Sequence, residues 1–103
     1  MASYILRPPT NCLLKRKASL RTEDKDLLQL EYFLLEEFNI KDQCAQYGIK
    51  VTTKNQSLES NLEEVYANDL TENKKEALYL LDKLADNKVT AVAVTDVLKD
   101  IIL

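Results

Sequence analysis

The sequence predicts a small α+β domain. It reads as an antiparallel sheet built around a hairpin over residues 27–54, covered by one amphipathic helix over 71–86 and closed at one end by a short helix over 95–103. Three observations carry that prediction. Two neighbouring runs alternate apolar and polar residues, and one run repeats leucine at helical spacing. The chain has 103 residues, 46% of them apolar, with one Gly and two Pro, which is enough for one core and no more. Residues 1–22 read as a basic N-terminal arm or an edge strand, and residues 23–103 as the single domain.

In the first segment Pro8-Pro9 enforces an extended, non-helical stretch, because each ring locks φ and removes an N–H. The flanking apolar groups Tyr4-Ile5-Leu6 and Cys12-Leu13-Leu14 are each able to add an edge strand to a sheet.

Residues 27–40 admit two readings. With a period of two, Leu28, Leu30, Tyr32, Leu34, Phe38 and Ile40 line one face, interrupted by Glu36. With a period of 3.6, Leu27, Leu28, Leu30, Leu34, Leu35 and Phe38 share a side, and Thr22 to Asp26 resembles an N-cap with an acidic first turn. The helical reading strands Phe33 and Ile40 among polar residues and puts Glu31 on the apolar side. Aromatic residues also favour strands, so the strand reading is preferred. Residues 47–54 alternate and are β-branched, and Lys41-Asp42-Gln43 provides a short connection, completing the hairpin. Gly48, the only glycine, lies within the second strand, where it marks a bulge or a close backbone approach.

Residues 58–68 are weakly patterned, with a third strand at Val65-Tyr66-Ala67 or a short helix from Leu58 to Glu64 as the two readings. The next element is the clearest. Ala77, Leu78, Leu80, Leu81, Leu84 and Ala85 fall on one side of a helix, opposite Lys75, Glu76, Tyr79, Asp82, Lys83 and Asp86. Asp69 or Thr71 is the expected N-cap, and Asn87 the left-handed residue that ends the helix. Burying its four leucines contributes on the order of 6–12 kcal/mol before entropy, so the helix must dock on an apolar surface. After a β-branched run at residues 89–94, Thr95-Asp96 opens the last helix, with Val97, Leu98, Ile101 and Ile102 on one side.

Charge is unevenly distributed. Residues 1–22 hold five bases and no acid, whereas residues 23–103 hold nine bases and seventeen acids, giving +5 and −8. The basic segment either docks on nucleic acid or an acidic partner, or lies against the acidic body of its own chain or in solvent. The opening MASYILRPPT lacks the pattern of a secretory signal, so a cytoplasmic location with Cys12 and Cys44 reduced is the expectation.

Site chemistry is sparse. There is no His, and two Cys without a C-x-x-C pair give too few soft ligands for zinc. One Gly allows neither a phosphate loop nor a dinucleotide fingerprint. Glu36-Glu37 and Glu63-Glu64 are adjacent in sequence, so in strands the members of each pair point to opposite faces and share no proton. Cys12, near Lys15-Arg16-Lys17, has cations that favour a thiolate but no base or oxyanion site to work with. Arg16-Lys17-Ala18-Ser19 matches a basophilic kinase motif, a short match of low specificity.

Glu31-Tyr32-Phe33-Leu34-Leu35-Glu36-Glu37, then Tyr47-Gly48-Ile49-Lys50-Val51, then Asn87-Lys88-Val89-Thr90 ahead of Asp96-Val97 resemble a small uncharacterised clostridial and Firmicutes family catalogued as a domain of unknown function. The resemblance covers about residues 30–103. It implies a hairpin, a long helix and a short C-terminal helix in a bacterial cytoplasm, and it carries over no catalytic or binding residue. The family reads Val-Thr-Pro near the last helix, where this chain has Ala91 after Thr90.

The expected function is therefore non-catalytic: a cytoplasmic protein–protein interaction or regulatory protein, with a protein partner or a homodimer formed through Val92, Val94, Ile101 and Ile102. The alternative is anion or nucleic-acid binding through Lys15, Arg16, Lys17 and Arg21. No cofactor, metal, membrane or small-molecule ligand is expected.

Overall fold

A computed structural model describes residues 10–23, 26–39, 43–55 and 62–102. Tyr4-Ile5-Leu6, Pro8-Pro9, Lys41-Asp42 and Leu58 lie outside the described residues, as do the side chain of Ile102 and all of Leu103. Among the described residues the order is β1 (Thr10–Arg21), β2 (Leu27–Asn39), β3 (Cys44–Asn55), β4 (Leu62–Thr71), α1 (Lys74–Asp86), a 3₁₀ turn (Ala91–Ala93) and α2 (Val94–Ile102). The strands form one antiparallel meander in sequence order. The fold is α+β.

Residues 27–39 are strand, and the pairing shows why. In β2, Leu28, Leu30, Tyr32 and Leu34 face the same way as Asn55, Thr53, Val51 and Ile49 of β3. Of these, Leu30, Tyr32, Leu34, Ile49 and Val51 join Ala77, Leu80, Leu81, Leu84 and Ala85 of α1 in a single buried cluster with Val89, Ala91, Val94 and Leu98, and Leu28 packs against it. We call this the inner face. The interruption at Glu36 is answered by Lys74 at the start of α1, whose ammonium lies 3.1 Å from Oε1. That oxygen is shut off from solvent, and the close approach of the ammonium is what meets its charge. Lys74, against some desolvation and with help from Asn11, holds the Glu36 carboxyl below its ordinary range. Asp24 and Lys25 of the cap-like pattern lie outside the described residues, and its two ends, Thr22 and Asp26, meet across the β1–β2 connection where no helix starts. The Thr22 N–H donates to the Asp26 carbonyl at 2.9 Å and the Asp26 N–H to Thr22 Oγ1 at 3.2 Å.

Other expectations need correcting. β4 begins at Leu62, which removes the helical reading of residues 62–64. Because β4 runs on to Thr71, α1 starts later than residue 71. Its N-cap is Asn73, whose side chain accepts from the N–H groups of Lys75 and Glu76, and neither Asp69 nor Thr71 caps it. At the other end Asn87 has φ −93°, and Lys88 takes the left-handed conformation with φ 51°. The Lys88 N–H reaches the Ala85 carbonyl at 3.1 Å and the Val89 N–H the Leu84 carbonyl at 3.0 Å, a Schellman ending.

The segment after α1 is tied to the inner face by two buried hydrogen bonds. Tyr32 donates its hydroxyl to the Val89 carbonyl at 2.8 Å, and Thr53 Oγ1 accepts from the Ala91 N–H at 2.8 Å. Gly48 sits opposite an irregularity in β4: Tyr47 pairs with Thr71 and Ile49 with Ala67, leaving Asn68, Asp69 and Leu70 against one glycine. A Cβ on Gly48 would lie 2.3 Å from the Ala67 carbonyl oxygen, so the glycine permits a close backbone approach.

Candidate functional site

The two sequence-derived surfaces do not assemble. Val92 is 70% exposed and Ile101 41%, but Val94 is fully buried in the core beside Leu98. The interaction patch expected from Val92, Val94, Ile101 and Ile102 therefore loses Val94, because the 3₁₀ turn at Ala91–Ala93 rotates it inward.

The four basic residues of β1 are dispersed by strand alternation and by an irregularity between Leu14 and Arg16 that puts Lys15 out of register. Arg16 pairs with Tyr32 on the inner side and reaches over α1. It forms ion pairs with Asp82 at 3.1 Å and Asp86 at 2.9 Å. Those contacts, with Asp86 first, raise the guanidinium pKa further. Lys17 faces the opposite way, across from Glu31, and Arg21 lies exposed near the end of β1 across from Leu27. As a single anion site the group fails at Arg16, which is spent on the acids of its own chain.

The opposite side of the sheet, the outer face, carries what the sequence reading passed over. Cross-strand partners share a face, so the register defines rows across the strands. One row reads Leu14, Phe33, Lys50, Tyr66. Leu14 is 43% and Tyr66 52% exposed, whereas the Lys50 side chain is only 17% exposed. The Lys50 ammonium stands 5.1 Å from the Phe33 ring centroid and 5.2 Å from that of Tyr66, a cation held between two π faces. Glu64 Oε1 lies 3.9 Å away, and the Tyr66 hydroxyl donates to Glu64 Oε2 at 3.4 Å. Burial pulls the Lys50 pKa down, but Tyr66, Glu64 and Cys12 outweigh it and the net shift is upward.

The rows on either side differ in character. Cys12, Leu35 and Gly48 form one, with Cys12 exposed and Leu35 buried. Lys17, Glu31, Thr52 and Glu64 form the other, where the Thr52 hydroxyl donates to Glu31 at 3.4 Å. Cys12 and Cys44 form no disulfide. The signal that could have found this face is that β2 is apolar at odd positions too: Leu27, Phe33 and Leu35 alternate out of phase with the core set.

Residues 12–103 match the model of a family of unknown function, DUF6514. The chain belongs to the DUF6514 family. No curated protein and no solved structure matches it. Among the described residues of this DUF6514 protein, no helix is long and apolar enough to cross a membrane, and no three His, Cys, Asp or Glu side chains are grouped to hold a metal ion.

Proposed function

We propose that this DUF6514 protein is a non-catalytic cytoplasmic protein–protein interaction or regulatory protein. In this reading α1 covers the inner face of the sheet and the outer face docks another polypeptide. The observation that carries it is the Leu14–Phe33–Lys50–Tyr66 row. It places two large, substantially exposed side chains, Leu14 and Tyr66, at the two edges of the sheet, and Tyr66 also completes an aromatic–cation–aromatic unit with Lys50 and Phe33. A sheet face that meets only water normally alternates to polar residues. Exposed aromatic and aliphatic groups held rigid by their neighbours have the character of docking surfaces.

Cys12 is a built-in reporter, because it is exposed on this face next to the row. A Val92→Cys variant supplies a reference thiol at a position 70% exposed. Alkylation in intact cells, normalised to the urea-unfolded chain, is expected to be several-fold slower at Cys12 than at the reference thiol. Adding Leu14→Ser and Tyr66→Ser is expected to remove the difference. Equal rates in cells at both thiols overturn the docking face.

A further inference from the structure

We infer that the outer face docks on a second copy of itself, sheet against sheet, about a twofold axis that runs parallel to the strands between β2 and β3. The inference rests on the docking reading above and names its partner.

Size is the first argument. Four strands at ~4.8 Å spacing and ~12 residues at ~3.3 Å per residue make a face of about 19 Å by 40 Å, on the order of 750 Å². Stable complexes bury ~800 Å² per partner, so the whole face is the right size for one interface of ordinary dimensions.

Charge is the second. The outer face presents Lys17, Arg21, Lys50 and Lys54 against Glu31, Glu37 and Glu64. The body beyond residue 22 is strongly acidic, yet this face holds both signs within one charge of balance, so two copies repel little through it. The charges are also ordered across the strands. In the row of Lys17, Glu31, Thr52 and Glu64 the base lies on β1 and an acid on β4.

A twofold axis along the strands lays β1 of one copy over β4 of the other and leaves every row opposite itself. Lys17 then meets Glu64 of the second copy, and Leu14 meets its Tyr66. Phe33 falls opposite Lys50, whose charge is already met by two rings and Glu64 within its own chain. Both rows lie close to the middle of β2, where the ~30° crossing of aligned sheets displaces opposing residues least. An axis across the strands would instead stack β1 on β1 and β4 on β4, so Lys17 and Glu64 would lie on strands that do not face each other. The isologous symmetry closes at two copies.

The test uses the full chain, followed by light scattering and sedimentation at micromolar concentration. The native protein is expected at twice its mass of 11.8 kDa. Lys17→Glu and Glu64→Lys are each expected to weaken the dimer by about tenfold or more, since each sets like charges opposite one another twice. Mixing the two variants restores attraction at both positions and is expected to recover the dimer. A loss of fold in either variant would not be repaired by mixing. A native protein that stays monomeric overturns the inference, and Cys12 protection in cells then decides the docking reading separately. Single variants that dimerise like the native chain, or a mixture that does not recover, overturn the proposed axis.

Discussion

Gly48→Ala probes the β3–β4 junction with a single methyl group. The glycine does not have a positive φ, so alanine can adopt its backbone conformation and any cost is steric. The added Cβ would stand 2.3 Å from the Ala67 carbonyl oxygen, 3.1 Å from Asn68 Cα and 3.3 Å from the Ala67 carbonyl carbon. All three atoms belong to the backbone of β4, and none can turn aside as a side-chain tip would. Restoring even a tight 3.0 Å contact to the oxygen requires β4 to retreat by about 0.7 Å. A displacement of that size stretches a neighbouring ladder hydrogen bond from ~2.9 Å to beyond 3.5 Å, where it ceases to be one. Overpacking of this kind costs about 1–3 kcal/mol. The smaller entropy of an alanine-containing unfolded chain returns ~0.4–1 kcal/mol. The net expectation is a loss of ~1–2 kcal/mol, equivalent to a fall in Tm of roughly 4–16 °C for a domain of this size. Urea and thermal unfolding measure the total. Hydrogen exchange locates it, with amides of Leu62–Thr71 losing protection before those of β1 and β2. A Tm within a degree or two of native, or protection lost evenly across the sheet, would refute the close-approach argument.

Tyr32→Phe leaves the buried Val89 carbonyl without its donor and is expected to cost ~1–3 kcal/mol in urea unfolding, with no change in secondary structure. Burial pushes the Tyr32 hydroxyl up to about 12. The unfolded chain gives up that proton near pH 10, so the contribution of Tyr32 is complete below pH ~10. It falls by up to ~1.4 kcal/mol per unit as the pH rises toward 12, and Tyr32→Phe is expected to flatten that slope in alkaline unfolding curves. Lys88→Gly relieves a side chain at φ 51° and is expected to raise stability by ~1 kcal/mol, visible as a Tm several degrees higher.

The hairpin and α1 were legible because in both the hydrophobic period agrees with local preference. Phe33 is what separates strand from helix in β2: it is a misfit on the polar side of a helix but an outer-face residue over Lys50 in a strand. Local signatures misled where the chain used them for something else. The Thr22–Asp26 pattern fits a helix start and a hairpin turn equally well, and pairing with β2 selects the turn. Asn73 was passed over as a cap because nothing local shows how far β4 extends. The basic residues looked like one site only because they are adjacent in sequence. Strand alternation separates Arg16 from Lys17, and the acids that engage Arg16 lie 66 and 70 positions away. The outer row could not be assigned from sequence for a related reason: apolar residues at both parities say that both faces matter, but not which one is the core.

The two hydroxyls of Tyr32 and Thr53 are committed to the main chain around residues 89–91, far along from the hairpin that bears them. A shortened chain stopping at residue 88 would strand both groups in an oily interior, and would take away Val94 and Leu98 from around them. Residues 89–98 thus act as a keystone for the meander, wedged where the arch beneath them would otherwise stand open.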